Sequence, residues 1–121
     1  MSLRPEFYQL LRVNQMFMAD QREINAAIIN TFLGVAIWYG VHSEGSRLSL
    51  GDLAKRLDLP PSTLSRHLRY LGARQRKDVP GMGLVEVMVT DEDARRKWVR
   101  LTPSGKGMAA KVQSIMAGAV L

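Results

Sequence analysis

The chain has 121 residues, 46% of them apolar and 23% charged, which suits one soluble domain with a single core. It has no cysteine, so disulfides, thiolate zinc sites and cysteine nucleophiles are excluded. Its longest apolar run, Phe32 to Val41, is ten residues, against the roughly 20 of a membrane-spanning helix.

Pro5 is well placed in a helical first turn. Phe7, Leu10, Leu11, Asn14, Phe17 and Met18 then recur at spacings of three and four, predicting a helix to about Asp20. Arg4 leads directly into Pro5 and Glu6, not into the apolar stretch of a secretory signal. A second apolar stripe runs from Ile24 through Ile28, Thr31, Phe32, Val35 and Tyr39, and is stopped by Gly40 and the polar stretch 42–46.

Ser49 is a predicted N-cap, with Asp52 three residues on as an acidic capping-box partner. Leu50, Leu53, Ala54 and Leu57 give the buried stripe of a two-turn helix. Pro60 disfavours helix at Leu59, and Pro61 opens the next helix, with Ser62 or Thr63 as capping residues. A short helix, a tight turn and a second helix describe a helix-turn-helix.

On the second of these helices, at about 100° per residue, Leu64, Leu68 and Leu71 share the core side and His67 lies at its edge. Ser62, Arg66, Arg69 and Ala73 face the opposite way, flanked by Ser65 and Tyr70. An acid-free face of serines and arginines suits the major groove of DNA, where arginine reads guanine edges and hydroxyls reach phosphates or bases. The charge is placed accordingly. Residues 1–46 sum to −1, residues 47–77 to +6 and residues 78–121 to +1. Such a block is an electrostatic footprint for phosphates.

Residues 72–83 read as a polar, Gly- and Pro-rich loop whose Arg74, Arg76 and Lys77 either touch phosphates or stay solvated. The β-rich stretches Leu84 to Val89 and Trp98 to Leu101 then flank a charged, turn-forming segment, Thr90 to Lys97. Two strands with a charged tip after a recognition helix describe a wing. Thr102 caps a last helix with Pro103 in its first turn, striped by Met108, Val112, Ile115 and Met116.

The chemistry of an enzyme is missing from this pattern. His42 and His67 have no metal-ligand spacing to each other or to a carboxylate. Gly81-Met82-Gly83 lacks the third glycine and the strand-to-helix context of a nucleotide-binding loop. Asp91, Glu92 and Asp93 form an acidic cluster whose neighbours Arg95 and Arg96 compete with any cation. Neither an enzyme nor a resident cofactor is expected.

Three stretches, SLGDLAKRLDLPPSTLSRHLRYL (49–71), GLVEV (83–87) and DARRKWVRLTPSGKGM (93–108), resemble the MarR family of winged-helix regulators. The most specific element is an Asp-x-Arg a fixed distance before a Leu-Thr and a glycine, matched by Asp93, Arg95, Leu101, Thr102 and Gly105. The resemblance covers roughly residues 22–112 and agrees with the elements read above: a mainly α fold with a small β-wing (two N-terminal helices, helix-turn-helix, hairpin and C-terminal helix), expected as one domain over 1–121. Its parts are 1–46, 49–74, 84–102 and 103–121. It implies that Arg95 enters or skirts the minor groove, steadied by Asp93, and that Ser62, Thr63, Ser65 and Arg66 contact DNA. Thr63 lies off the outward face and is given a phosphate at the helix end. Arg69, Arg96 and Lys97 complete the expected DNA-binding set.

Two departures stand out. Loop 72–83 is longer than the family's usual step into the wing, and the chain leaves room for one helix after it, where family members have two. The terminal apolar stripes still predict a homodimer. The expected function is regulation of transcription, as a repressor on double-stranded DNA in the cytoplasm (nucleoid-associated). The alternative is a winged-helix protein-interaction module, or an accessory factor of plasmid or phage replication or partition. The family also implies a small-molecule effector, for which Trp38, Tyr39 and Tyr70 are the aromatic candidates.

Overall fold

A computed structural model describes residues 4–39, 47–90 and 93–118, with the backbone alone for 90 and 93–95. The elements run α1 (Pro5–Asp20), α2 (Ala26–Trp38), β1 (Leu48–Ser49), α3 (Leu50–Leu57) and α4 (Pro61–Leu71). They continue as β2 (Arg74–Arg76), β3 (Val79–Pro80), β4 (Val85–Thr90), β5 (Asp93–Leu101) and α5 (Pro103–Met116). No described helix is long and apolar enough to cross a membrane.

Helix α2 is the hub. The Asn25 side chain caps it by accepting from the Ile28 N–H at 2.9 Å, and Phe32 and Val35 at its centre are wholly buried. Helices α1, α3, α4 and α5 and strand β5 supply the surrounding core. Phe17 of α1 meets Phe32 edge-on, with ring centroids 5.4 Å apart, the geometry that the ring quadrupoles favour.

The helix-turn-helix forms as its local sequence dictates. Ser49 Oγ accepts from the Asp52 N–H at 3.1 Å. Leu53 and Ala54 are buried from α3, and Leu64, Leu68 and Leu71 from α4. The stop between them differs in part from expectation. Helix α3 closes at Asp58, which sits in the left-handed region (φ 55°), a conformation that aspartate tolerates better than most residues. Neither Ser62 nor Thr63 caps α4. Pro60 is the N-cap and no side chain closes the end. Pro61 has no N–H to satisfy, so the unpaired first-turn donors belong to Ser62 and Thr63.

The segment after α4 differs from expectation in two respects. Residues 72–83 are not a plain loop: β2 and β3 pair antiparallel, with a bulge between Arg74 and Arg76. The wing hairpin is also longer than its β-rich stretches. Strand β5 begins at Asp93, so Ala94 to Lys97 are strand and not tip, and the tip, 91–92, lies outside the described residues. Pairing drives this extension, with Val89 opposite Lys97 and Met88 opposite Trp98. Strand β1 adds a third strand to the sheet, in the order β1-β5-β4. Val85, Val99 and Leu101 point into the core, while Glu86 and Arg100 pair on the other face at 2.9 Å.

Thr102 joins the wing to α5. Its Oγ accepts from the Gly105 N–H at 3.0 Å and donates to the Gly83 carbonyl at 2.6 Å. Gly105 is required there, because a Cβ would run into the Leu84 carbonyl.

Candidate nucleic-acid interface

The outer side of α4 is open. Ser62, Arg66, Arg69 and Ala73 are exposed, and Thr63 and Ser65 are half-buried at its margins. This is the arrangement that helical spacing predicts. The Arg66 guanidinium lies 3.5 Å from Thr63 Oγ1, too long to fix it, so it remains available to a ligand. The one ion pair among the described residues is Arg100–Glu86. No described carboxylate therefore neutralises Arg66 or Arg69.

Two clefts flank the helix. On the wing side, a cleft of about 580 Å³ is lined by Ser65, Arg69 and Arg74 across from Val87 and Lys97. It brings three expected site residues, Ser65, Arg69 and Lys97, to one surface. A smaller hollow joins Lys97 and Arg96 to Ser49 and Gly51 at the start of α3. Arg96 is exposed, with its guanidinium 5.8 Å from the Trp98 ring centroid, and Arg47 lies over the same ring at 5.6 Å. The wing thus carries cations stacked on an aromatic, a contact that orients a guanidinium without a carboxylate. The backbone of Arg95 lies in β5, and its side chain is outside the described residues. Asp93 stands likewise.

On the other side, a cleft of about 510 Å³ is lined by Arg66, Arg69, His67 and Tyr70 of α4, Asn25 at the head of α2, and Gln75 and Arg76 of β2. Asn25 and the pairing that carries Arg76 were not legible as site features. The only signal for Arg76 was its place in the charged run.

His67 is buried, and its Nδ1 lies 2.9 Å from Thr31 Oγ1, which in turn donates to the Ala27 carbonyl at 3.0 Å. It is a packing residue, as expected. Burial and then the neighbouring Arg66 cation hold its pKa below the usual 6.5. Because the folded value lies below the unfolded one, the unfolded chain binds more protons in this window and stability rises with pH. The full contribution is present above pH 6.5 and is lost as pH falls through the lowered folded value. Urea melts between pH 7.5 and 5 are expected to show this loss, and His67→Gln to show a flatter profile. Identical slopes would mean that His67 does not titrate as described.

The aromatic candidates for an effector do not meet. Tyr70 stands with its hydroxyl 3.5 Å from Gln21 Oε1 near the start of α2. Trp38 and Tyr39 lie at its far end, Trp38 beneath Arg56 at 5.1 Å. Burial, with the nearby Glu23 and Asp20 carboxylates, raises the Tyr70 pKa, so its hydroxyl stays protonated. Among the described residues no group of three His, Cys, Asp or Glu side chains is placed to hold a metal ion.

A helix-turn-helix packed on a β-hairpin defines a winged-helix protein. The family described as "Bacterial regulatory protein, arsR family" matches residues 43–73. A protein from Ralstonia eutropha JMP134, assigned to DNA binding, is 31% identical over 74% of this chain and 96% of that one, with a TM-score of 0.58. MepR from S. aureus, solved in complex with DNA, is 25% identical over 93% of this chain and 84% of that one, with a TM-score of 0.59. MarR from E. coli, at 19% identity over 95% of this chain and 78% of that one, shares the fold, with a TM-score of 0.57. No curated protein matches the chain. The chain is a winged helix-turn-helix protein, similar to MepR and sharing the fold of MarR.

Proposed function

We propose that the protein binds double-stranded DNA as a homodimer, with α4 in the major groove and the wing against the adjacent minor groove, and represses transcription from an inverted repeat. The observation that carries this reading is the exposed, acid-free side of α4, where Arg66 and Arg69 stand without a carboxylate partner among the described residues. Four roles follow from position. Arg66 and Arg69 reach base edges, where arginine binds guanine O6 and N7. Ser62 and Thr63, with the free N–H groups of the first turn, take a phosphate at the helix end. Ser65 and Lys97 line the wing-side cleft along the backbone. Arg96 and Arg95 act from β5, Arg95 as the minor-groove residue that the family resemblance assigns; a narrow groove concentrates negative potential and attracts arginine.

Dimerisation rests on α1. Phe7, Leu10, Leu11 and Met18 are 64%, 51%, 52% and 44% exposed. At about 100° per residue they share one face of the helix, beside the face that buries Val13 and Phe17. Helix α5 packs on α1 without covering them. Apolar side chains so grouped mark an interface. A dimer that places two α4 helices about 34 Å apart reads half-sites one helical turn apart. The family's small-molecule effector belongs to the same reading, with no residue assigned to it.

Arg66→Ala is expected to relax discrimination between cognate and unrelated duplex by about 1–3 kcal/mol. The check is competitive binding of the variant to a duplex selected from random DNA by the parent protein. Unchanged discrimination would remove Arg66 from base readout.

A further inference from the structure

We propose that the β2–β3 hairpin is a second wing that grips the DNA backbone beside α4, across that helix from the β4–β5 wing. The inference rests on the DNA-binding reading above and adds a contact surface to it.

The hairpin is built to hold charge in a fixed place. Arg74, Arg76 and Lys77 are exposed on it, against a single acid, Asp78, which occupies the turn with φ 67°. The Gln75 amide donates to the Pro80 carbonyl at 3.3 Å and braces the two strands. Its base is tied to the end of the recognition helix by four consecutive backbone bonds. The N–H groups of Gly81, Met82, Gly83 and Leu84 donate to the carbonyls of Ala73, Tyr70, Gly72 and Leu71 at 2.7–3.0 Å. Gly81 permits this approach, since a Cβ there would run into the Gly72 carbonyl and meet the Arg69 carbonyl at 2.8 Å. A loop that only spanned the gap between α4 and β4 would need neither the pairing nor the close contact.

Charge and shape then point to phosphate. Beside Arg66 and Arg69, which are turned to the bases, the cleft between hairpin and helix presents Arg76 with the amide side chains of Asn25 and Gln75, and no carboxylate lines it. Guanidinium and amide donors around a hollow that no carboxylate lines suit the oxygens of a phosphodiester. Arg74 faces the wing-side cleft, so the hairpin presents cations to both sides of α4. A rigid cationic arm fixed to a helix in the major groove meets the bordering strand of the same duplex. Such contacts set register and affinity but carry no sequence.

The test uses the full chain with Arg74, Arg76 and Lys77 all changed to Gln. All three side chains are exposed, and an unchanged melting curve verifies the fold. Affinity is measured against salt on the selected duplex and on an unrelated one, with a hydroxyl-radical footprint of each protein. The proposal expects the log–log salt slope to shrink by about 2–3, near 0.9 for each phosphate released. It also expects an equal fold-loss on both duplexes, and loss of backbone protection at one flank of each half-site. An unchanged slope and footprint in the variant, with the parent binding steeply, would overturn the second wing and leave the α4 reading standing. A loss confined to the selected duplex would overturn the backbone role in favour of base contact. Failure of the parent to bind any duplex would sink both.

Discussion

Glutamates in place of Leu10 and Leu11 are expected to leave the protein monomeric at micromolar concentration and to weaken its hold on an inverted-repeat duplex by roughly 10²–10⁴-fold. These residues are half-exposed on α1, where no other described element covers them. A carboxylate at either position turns an apolar contact into a buried, unpaired charge, which an interface tolerates poorly. The fold itself is spared, because the helix packs through Val13 and Phe17. Loss of affinity follows from linkage. In a dimer the second recognition helix is delivered at high effective concentration once the first is bound, and a monomer forfeits that gain. Sedimentation of the variant, with binding to full and half-sites, checks both parts. A double variant that stays dimeric would move the interface off α1. One that is monomeric yet binds the full site as the parent does would mean that the parent engages one half-site at a time.

Phe32→Ala is expected to cost about 3–5 kcal/mol of folding stability, the range for emptying an aromatic site in a well-packed core. Phe32 is wholly buried on α2 and packs edge-on against Phe17. The same helix contacts α3, α4, α5 and β5, so no single neighbour can collapse into the space without dragging a second element. Natural domains of this size hold only about 5–15 kcal/mol in total, so the variant stands near the edge of folding, and DNA binding is expected to fail with it on warming. Urea denaturation measures the loss. A cost under about 1 kcal/mol would mean that the site repacks freely and that α2 is not the hub.

What the sequence made legible follows from how local the physics was. Helix α3, its Ser49 cap and the core stripe of α4 were readable because spacing and capping act within a few residues. The outward face of α4 came from the same periodicity, and the basic block from simple counting. The turn of Asp58 into the left-handed region was not readable, since Pro60 accounts for a helix stop equally well. Residues 74–80 have the composition of a loop, and their strands exist because Gly81 lets the chain return against the end of α4, a tertiary fact. Strand β5 reached back to Asp93 for a similar reason: Arg96 and Lys97 have weak strand preference, but cross-strand pairing with β4 outweighs it. Asn25 entered the interface only through packing, 41 residues before Arg66 in sequence and beside it in one cleft. The expected minor-groove residue, Arg95, rests on the family pattern.

Methylation interference tests most directly whether the open side of α4 lies in the major groove of duplex DNA. Methyl groups on guanine N7 occupy the floor of that groove and leave the backbone untouched. They are expected to block binding of the protein in two patches about 10 base pairs apart, and Arg66→Ala is expected to be indifferent to at least one guanine in each patch. Binding that proceeds equally well on N7-methylated duplex would contradict that placement of α4.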